Sequence, residues 1–404
     1  MKKDIVFLCQ FFYPETVSSA TLPFDTATYL ASKGYQVGAL CGYPKEYSAQ
    51  KDVPTEEVKD GVQIRRLKYI QLSRKSSFGR LVNYFSFTLK AWLSVRKLKD
   101  SRAVIVYSNP PVLPIAALRA KKKYGTKLIF VAYDVYPEIA YASGIVAPGS
   151  LLDKVMNWIN RRLYAQADAV VALTDEMRQY LLDNRPELTP DRVVTIENWA
   201  HEKEKAPLAP ETLEKFGFTP DQFVVGYFGN LGTCQDVDTL LQTALALKND
   251  SGVGFLIVGH GNKKETVKEF VVRHNLENVK VFDYLTGTDF AQAVALASCS
   301  VVSLESGLKG LCAPSKYYSC LLGGHPVVAV GEPDSYLAFE VQRKELGFFV
   351  KNGDAESFCA AIDKMRHNPE FLRTMSQNAT LLYNQCYDYS IAMEKYKTLI
   401  QELL

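Results

Sequence analysis

Ser300-Val301-Val302-Ser303-Leu304 is followed by Gly310-Leu311-Cys312-Ala313-Pro314-Ser315-Lys316-Tyr317-Tyr318 and then, past Gly323-Gly324, by His325-Pro326-Val327-Val328-Ala329-Val330. These residues read as strand, glycine-bearing loop, helix and strand. The helix begins at Pro314-Ser315, and the paired glycines stop it. Its first backbone N–H groups lack intrahelical partners, and the helix dipole favours an anion there. Lys316, in the first turn, adds a mobile positive charge. On shape alone this is also an ordinary strand-helix-strand unit. Its surroundings tilt the reading toward a nucleotide-diphosphate site.

The same alternation runs along the whole chain. Ile5–Cys9 is apolar at every position, which marks a parallel strand buried on both faces. Further strands are expected at Val37–Leu40, Val62–Leu67, Ala103–Tyr107, Leu128–Ala132, Ala169–Leu173 and Val193–Ile196. Helices are expected near Ala20–Lys33, Val112–Tyr124 and Leu151–Ala167. Residues 201–220 show little periodicity and read as a linker with one short helix. The pattern then restarts, with strands at Val224–Phe228, Gly254–Val258, Val279–Phe282, Ser300–Leu304 and Val327–Val330, and a short edge strand at Phe348–Lys351. Helices fall near Val237–Lys248, Lys263–His274, Phe290–Ala297 and Ser315–Leu322. This is the βα order of parallel sheets covered on both faces, in two domains. A length of 404 residues also exceeds one ordinary core. The expected domains are 1–200, joined by a final helix at about 385–404, and 201–384.

Composition is that of a folded protein without repeats or low-complexity tracts. The eight cysteines are scattered and form no close Cys-x-x-Cys pair, so reduced thiols are expected. His201, His260, His274, His325 and His367 lack metal-ligand spacing, and no metal or cofactor is expected. No signal peptide and no bilayer-length apolar run is visible, so a cytosolic location is expected. The net charge of +3 hides an asymmetry: residues 1–200 hold 28 Lys/Arg against 19 Asp/Glu, and residues 201–404 hold 19 against 25.

The basic excess lies in residues 65–102, with 11 basic residues and one acidic one. Here Phe78, Leu81, Val82, Phe85, Leu89 and Trp92 follow helical spacing, with Arg74, Lys75, Arg80, Lys90, Arg96 and Lys97 around them. The pattern fits a helix resting on an anionic membrane surface. It equally fits a domain helix packed on the sheet with a solvated basic face. No nucleic-acid-binding module accompanies the charge, so nucleic acid is not an expected partner.

Chemistry-bearing residues gather just after the strands. Gly229-Asn230-Leu231-Gly232 and Gly259-His260-Gly261 let a ligand approach the backbone, or simply turn the chain. Glu305 can receive sugar hydroxyls or stand in solvent. Asp134 and Glu138 flank Pro137; either can accept a proton or orient a hydroxyl. Asp134 can instead cap a helix.

Taken in order along the chain, several of these motifs carry a resemblance. They are Phe12-Tyr13-Pro14-Glu15, Ser108-Asn109-Pro110-Pro111, Asp134-Val135-Tyr136-Pro137-Glu138, Glu197-Asn198-Trp199-Ala200, Gly229-Asn230-Leu231-Gly232, Gly259-His260-Gly261 and Pro314-Ser315-Lys316. The chain resembles the retaining GT-B glycosyltransferases of family 4, above all the bacterial branch that builds surface polysaccharides. Within it, the chain is similar to amino-deoxysugar transferases of O-antigen and capsule synthesis. The resemblance implies two Rossmann-like domains facing each other across a cleft, with a C-terminal helix crossing back to the N-terminal domain. It implies a nucleotide diphosphate sugar donor, UDP-linked, bound metal-free by the C-terminal domain. On this reading Gly229, Asn230, Gln235, Gly259, Tyr284, Lys309, Gly310, Leu311, Ser315 and Ser319 line the donor. Asp134, Lys316 and Glu305 carry the chemistry, and Glu15, Thr16, Asn109 and Glu138 face the acceptor. The implied acceptor is a lipid-linked saccharide, undecaprenyl diphosphate being one such carrier, met at the inner face of the cytoplasmic membrane.

The chain departs from the family pattern at several places. Asn230 and Gln235 stand where many relatives have an Arg and a Lys. Leu311 and Ser319 stand where they have two glutamates, which leaves Glu305 as a displaced substitute. Asp134 takes the place of a family histidine, and Thr16-Val17-Ser18 replaces glycines. These losses keep two rival readings in view. One is an epimerase acting on UDP-N-acetylglucosamine; the other is a non-catalytic nucleotide-sugar binder in an assembly complex.

Overall fold

The computed structural model describes residues 3–45, 48, 50, 52–73, 76–200, 208–283 and 285–404. It divides into two compact units. The first holds residues 1–198, 310–313 and 390–404; the second holds 199–309 and 314–389.

The first unit is built on an eight-stranded sheet. Its strands are β1 (Lys3–Cys9), β2 (Val37–Gly42), β3 (Glu56–Lys59), β4 (Val62–Leu67), β5 (Ser101–Tyr107), β6 (Lys127–Ala132), β7 (Ala169–Ala172) and β8 (Val193–Thr195), in the order β3-β4-β2-β1-β5-β6-β7-β8. The central strands are nearly continuous apolar runs, as burial on both faces requires. Successive connections leave β1 and β5 toward opposite edges, so the loops after these two strands flank the switch point of the sheet. Sequence periodicity does not reveal β3, whose Glu56-Glu57-Val58-Lys59 is polar and largely exposed. It pairs antiparallel with β4 through Asp60-Gly61, both at positive φ (48° and 80°). Such a two-residue turn matches the twist of a hairpin. The last helix, Tyr389–Leu403, joins this unit from Ser390 onward. Tyr396 on it is buried, and Lys395 pairs with Glu197.

The second unit carries a six-stranded, all-parallel sheet. Strands β9 (Phe223–Asn230), β10 (Val253–His260), β11 (Val279–Phe282), β12 (Cys299–Ser303), β13 (Val327–Gly331) and β14 (Gly347–Lys351) lie in the order β11-β10-β9-β12-β13-β14. Alternate residues of the inner strands feed opposite cores. Phe223, Val225, Tyr227, Phe255 and Ile257 join one cluster, and Val224, Leu256 and Val258 another. The switch point lies between β9 and β12. Two Rossmann-like α/β units, as the sequence leads one to expect, are therefore present. The linker contributes the short helix Pro210–Phe216. The structure adds helices Asp175–Asn184, Tyr336–Arg343, Ala355–Arg366 and Pro369–Leu382 to those expected.

Candidate functional site

In the second unit, the helix Ser315–Gly323 starts behind β12 with Pro314 at its N-cap and no side chain capping it. Ser315 and Ser319 are exposed on it, one turn apart. Lys316 turns back over the sheet. Its Nζ donates to the Tyr227 hydroxyl and lies 3.7 Å from the centroid of the Tyr227 ring. Burial without a carboxylate pushes the lysine down to about 7. Tyr227 comes from the apolar interior of β9, and burial raises its own phenol.

The glycines permit close approach at the ends of β9 and β10. A Cβ on Gly259 would stand 1.9 Å from the carbonyl oxygen of Gly229, and one on Gly229 (φ 129°) would meet the Lys316 stem at 3.9 Å. Asn230 is exposed and donates to Gln235 Oε1 at 3.4 Å, while the Gly232 N–H donates to the same oxygen at 3.0 Å. Gln235 thereby folds the loop on itself. Glu305, two residues past β12, pairs with Lys263. Lys309 pairs with Asp334, and its N–H donates to Glu332 at 3.2 Å. Tyr284 lies outside the described residues.

Residues 310–313 pack within the first unit. Gly310 (φ 73°) donates its N–H to Glu176 at 3.1 Å, and the Leu311 carbonyl accepts from Val135 at 2.8 Å. Asp134 forms an isolated antiparallel bridge with Cys312. The Gly310 N–H and the Leu311 carbonyl are thus committed to protein partners. Sequence reasoning assigned both residues to the donor; of that stretch, only the helix start of the second unit presents an uncapped end.

Asp134 follows β6. Its N–H donates to Ser108 Oγ at 3.1 Å, and no side-chain partner holds its carboxylate among the described residues. Burial raises it to about 6. It caps no helix, because Glu138–Ala142 begins at Pro137 without a side-chain cap. Glu138 opens that helix. Arg185 Nη2 donates to both its oxygens at 2.6 and 2.7 Å, so this carboxylate is already neutralised by a half-buried guanidinium. Glu15 is buried after β1, Thr16 is exposed beside it, and the Asn109 side-chain carbonyl is buried without a partner among the described residues.

The helix Ser77–Leu93 buries a mixed face in the first unit and leaves an apolar stripe exposed. Asn83, Phe87, Thr88 and Ala91 face inward, whereas Phe78, Phe85, Leu89 and Leu93 are 72%, 45%, 56% and 60% exposed. Arg119 lies flat over Trp92, 3.6 Å from the ring centroid. Lys90 is exposed on the same helix, Arg96 and Lys97 are exposed on the turn after it and Arg80 is half-exposed, while Arg74 and Lys75 lie outside the described residues. Among the described residues no helix is long and apolar enough to cross a membrane, and no cluster of three or more His, Cys, Asp or Glu side chains could hold a metal.

Sequence reasoning overlooked Lys263 and Tyr227. Lys263 is signalled only by its position just after Gly259-His260-Gly261; Tyr227 is hidden in an apolar strand.

Comparison with known proteins bears on this arrangement. Residues 24–199 match the family described as "Glycosyl transferase 4-like domain", and residues 222–368 match "Glycosyl transferases group 1". The chain is 24% identical over 323 residues to the "Probable glycosyltransferase WbjE" of Pseudomonas aeruginosa, covering 79% of this chain and 78% of that one. The sucrose-phosphate synthase structure from Thermosynechococcus elongatus is similar in fold, with a TM-score of 0.76 at 15% identity over 99% of both chains. So is Anabaena Alr3699/HepE, solved in complex with UDP-glucose, with a TM-score of 0.71 at 15% identity over 99% of this chain and 100% of that one. The family match favours group transfer over the epimerase and scaffold readings. The chain belongs to the GT-B glycosyltransferases, with a glycosyl transferase 4-like domain followed by a group 1 glycosyl transferase domain.

Proposed function

We propose that the enzyme moves a sugar from a UDP-linked donor to a hydroxyl of a lipid-linked saccharide, with retention, in the synthesis of a surface polysaccharide. The observation that carries the donor side is the uncapped start of Ser315–Gly323 with Lys316 beside Gly229. Backbone amides and an ammonium group there suit the diphosphate, and HepE, of the same fold, is solved with UDP-glucose. The bond between the anomeric carbon and the diphosphate oxygen lengthens first. The acceptor oxygen then attacks from the same face, and its proton passes to the departing phosphate oxygen. Lys316 neutralises charge that develops on that leaving group. Asp134, ionised above pH of about 6, orients the acceptor hydroxyl.

The exposed stripe Phe78-Phe85-Leu89-Leu93 with its cationic flank supports an acceptor presented at an anionic membrane, on its cytoplasmic side. The test is mass spectrometry of a panel of nucleotide sugars incubated with lipid-linked saccharides, with the anomeric configuration of the new linkage read by NMR. A glycosylated lipid product of retained configuration is expected. Turnover only on water-soluble acceptors would overturn the lipid assignment, and an inverted product would overturn retention.

A further inference from the structure

Three loop ends at one edge of the second sheet share a single ammonium group. Lys263 Nζ donates to the main-chain carbonyl of Gln235 at 2.8 Å and pairs with Glu305. Backbone bonds tie the same segments together: Leu231 N–H to His260 at 2.7 Å, Lys263 N–H to Leu231 at 2.9 Å, and Glu305 N–H to Cys234 at 3.0 Å. Lys316 stands at the opposite end of the first loop, beside Gly229. Two lysines therefore bracket residues 229–235, whose own polar side chains Asn230 and Gln235 are neutral.

Charge counting gives this bracket a use. A nucleoside diphosphate brings several negative charges. The loops after β9, β10 and β12 and the first turn of Ser315–Gly323 hold three lysines, Lys263, Lys309 and Lys316, and no arginine. Lys309 is drawn to Asp334, on an exposed surface. Lys316 is only partly charged near neutrality, because burial pushes it down to about 7. One helix end and one such lysine leave the anion under-compensated. Lys263 is the remaining cation of these loops, its side chain only 21% exposed; Lys264, which opens the helix after it, is turned to Asp283. Of its three N–H donors, Gln235 and Glu305 account for two.

We infer that Lys263 is a diphosphate ligand held in reserve by Glu305. Donor binding draws the ammonium group from a singly charged carboxylate onto the more highly charged phosphate oxygens. Glu305 is thereby released to accept a hydroxyl hydrogen of the donor sugar. The inference rests on the nucleotide-sugar reading above and deepens it: Glu305 and the diphosphate compete for one cation before they cooperate.

Calorimetric titration with UDP at low salt, on the wild type, Lys263→Met and Glu305→Gln, with thermal melts of each, tests this. Lys263→Met is expected to weaken UDP binding at least tenfold. Glu305→Gln is expected to tighten it severalfold, because the competing anion is gone and UDP carries no sugar to miss the carboxylate. A pair that merely braces the loops predicts the reverse for Glu305→Gln, since either substitution would then weaken UDP and lower the melting temperature alike. Unchanged affinity in Lys263→Met, or unchanged or weaker affinity in Glu305→Gln, overturns the role of Lys263 and leaves the donor reading standing. If Lys263→Met does not fold, Glu305→Gln alone decides. Failure of the wild type to bind UDP overturns the donor reading itself.

Discussion

Lys316 Nζ lies over the Tyr227 ring and donates to its hydroxyl, and no carboxylate among the described residues pairs with it. The aromatic face and the hydroxyl hold the ammonium group in place without neutralising it. An arriving anion therefore finds a positioned donor whose charge it can itself restore.

This arrangement predicts linked protonation. With Lys316 pushed down to about 7, much of it is neutral at pH 8. UDP stabilises the charged form, so binding takes up close to one proton at pH 8 and little at pH 6. Calorimetry in buffers of differing ionisation heat measures the uptake. Lys316→Met abolishes it and lowers kcat by ~10²-fold. The stability effect has a defined sign. Between about 7 and the ordinary 10.5 the unfolded chain holds a proton that the folded chain lacks, so stability rises with pH there. Lys316→Met should therefore raise the melting temperature most at pH 6, with the gain fading toward pH 10.

Asp134 gives the opposite limb. Its carboxyl is raised from 3.8 to about 6, so its ionised form carries a penalty at neutral pH that is relieved as pH falls through 6 toward 4. Asp134→Asn should raise the melting temperature at pH 7.5 and leave it unchanged near pH 4. The wild-type kcat/KM should fall as pH drops below about 6. The Asn variant should lose that limb and run ~10²-fold slower on the plateau.

Glu138 should report on stability instead of on the acceptor. Glu138→Gln leaves the Arg185 guanidinium, 13% exposed, without its carboxylate. A loss of ~3 kcal/mol in urea unfolding is expected. An acceptor KM that rises with no loss of stability would return Glu138 to the acceptor side.

The exposed stripe separates binding from folding. Phe85→Ser with Leu89→Ser removes apolar groups that already face solvent, so the melting temperature should hold within about 2 °C. Co-sedimentation with anionic vesicles should fall by ~10-fold or more, at ~1.5–3 kcal/mol for each side chain that enters the membrane. Neutralising Arg96 and Lys97 should weaken binding further at low salt and little at high salt.

The fold was legible because buried parallel strands are written as unbroken apolar runs, from Ile5–Cys9 to Val327–Val330, and nearly all their boundaries fall within two residues of expectation. Strand β3 was not, since Glu56-Glu57-Val58-Lys59 satisfies its pairing through the backbone while Glu56 and Val58 face water and Glu57 pairs with buried Arg66. At the site, sequence places loops but not reach. Lys263 and Glu305 are 42 residues apart, and only the parallel register of β10, β9 and β12 brings their loops together. Helix Ser77–Leu93 shows the same limit. Its apolar spacing marks a stripe, but which side packs on the protein depends on Asn83 bonding Leu72 at both N–H (2.7 Å) and carbonyl (2.9 Å), a contact no periodicity announces.

The hairpin of β3 and β4 also settles how the first sheet ends. An unpaired parallel strand such as Val62–Leu67 would offer a row of open amides and carbonyls to any passing chain. Glu56-Glu57-Val58-Lys59 occupies that row and turns acidic and basic side chains outward. An edge only four residues long that carries charged side chains discourages a further strand from pairing with it, so the margin resists strand-by-strand polymerisation.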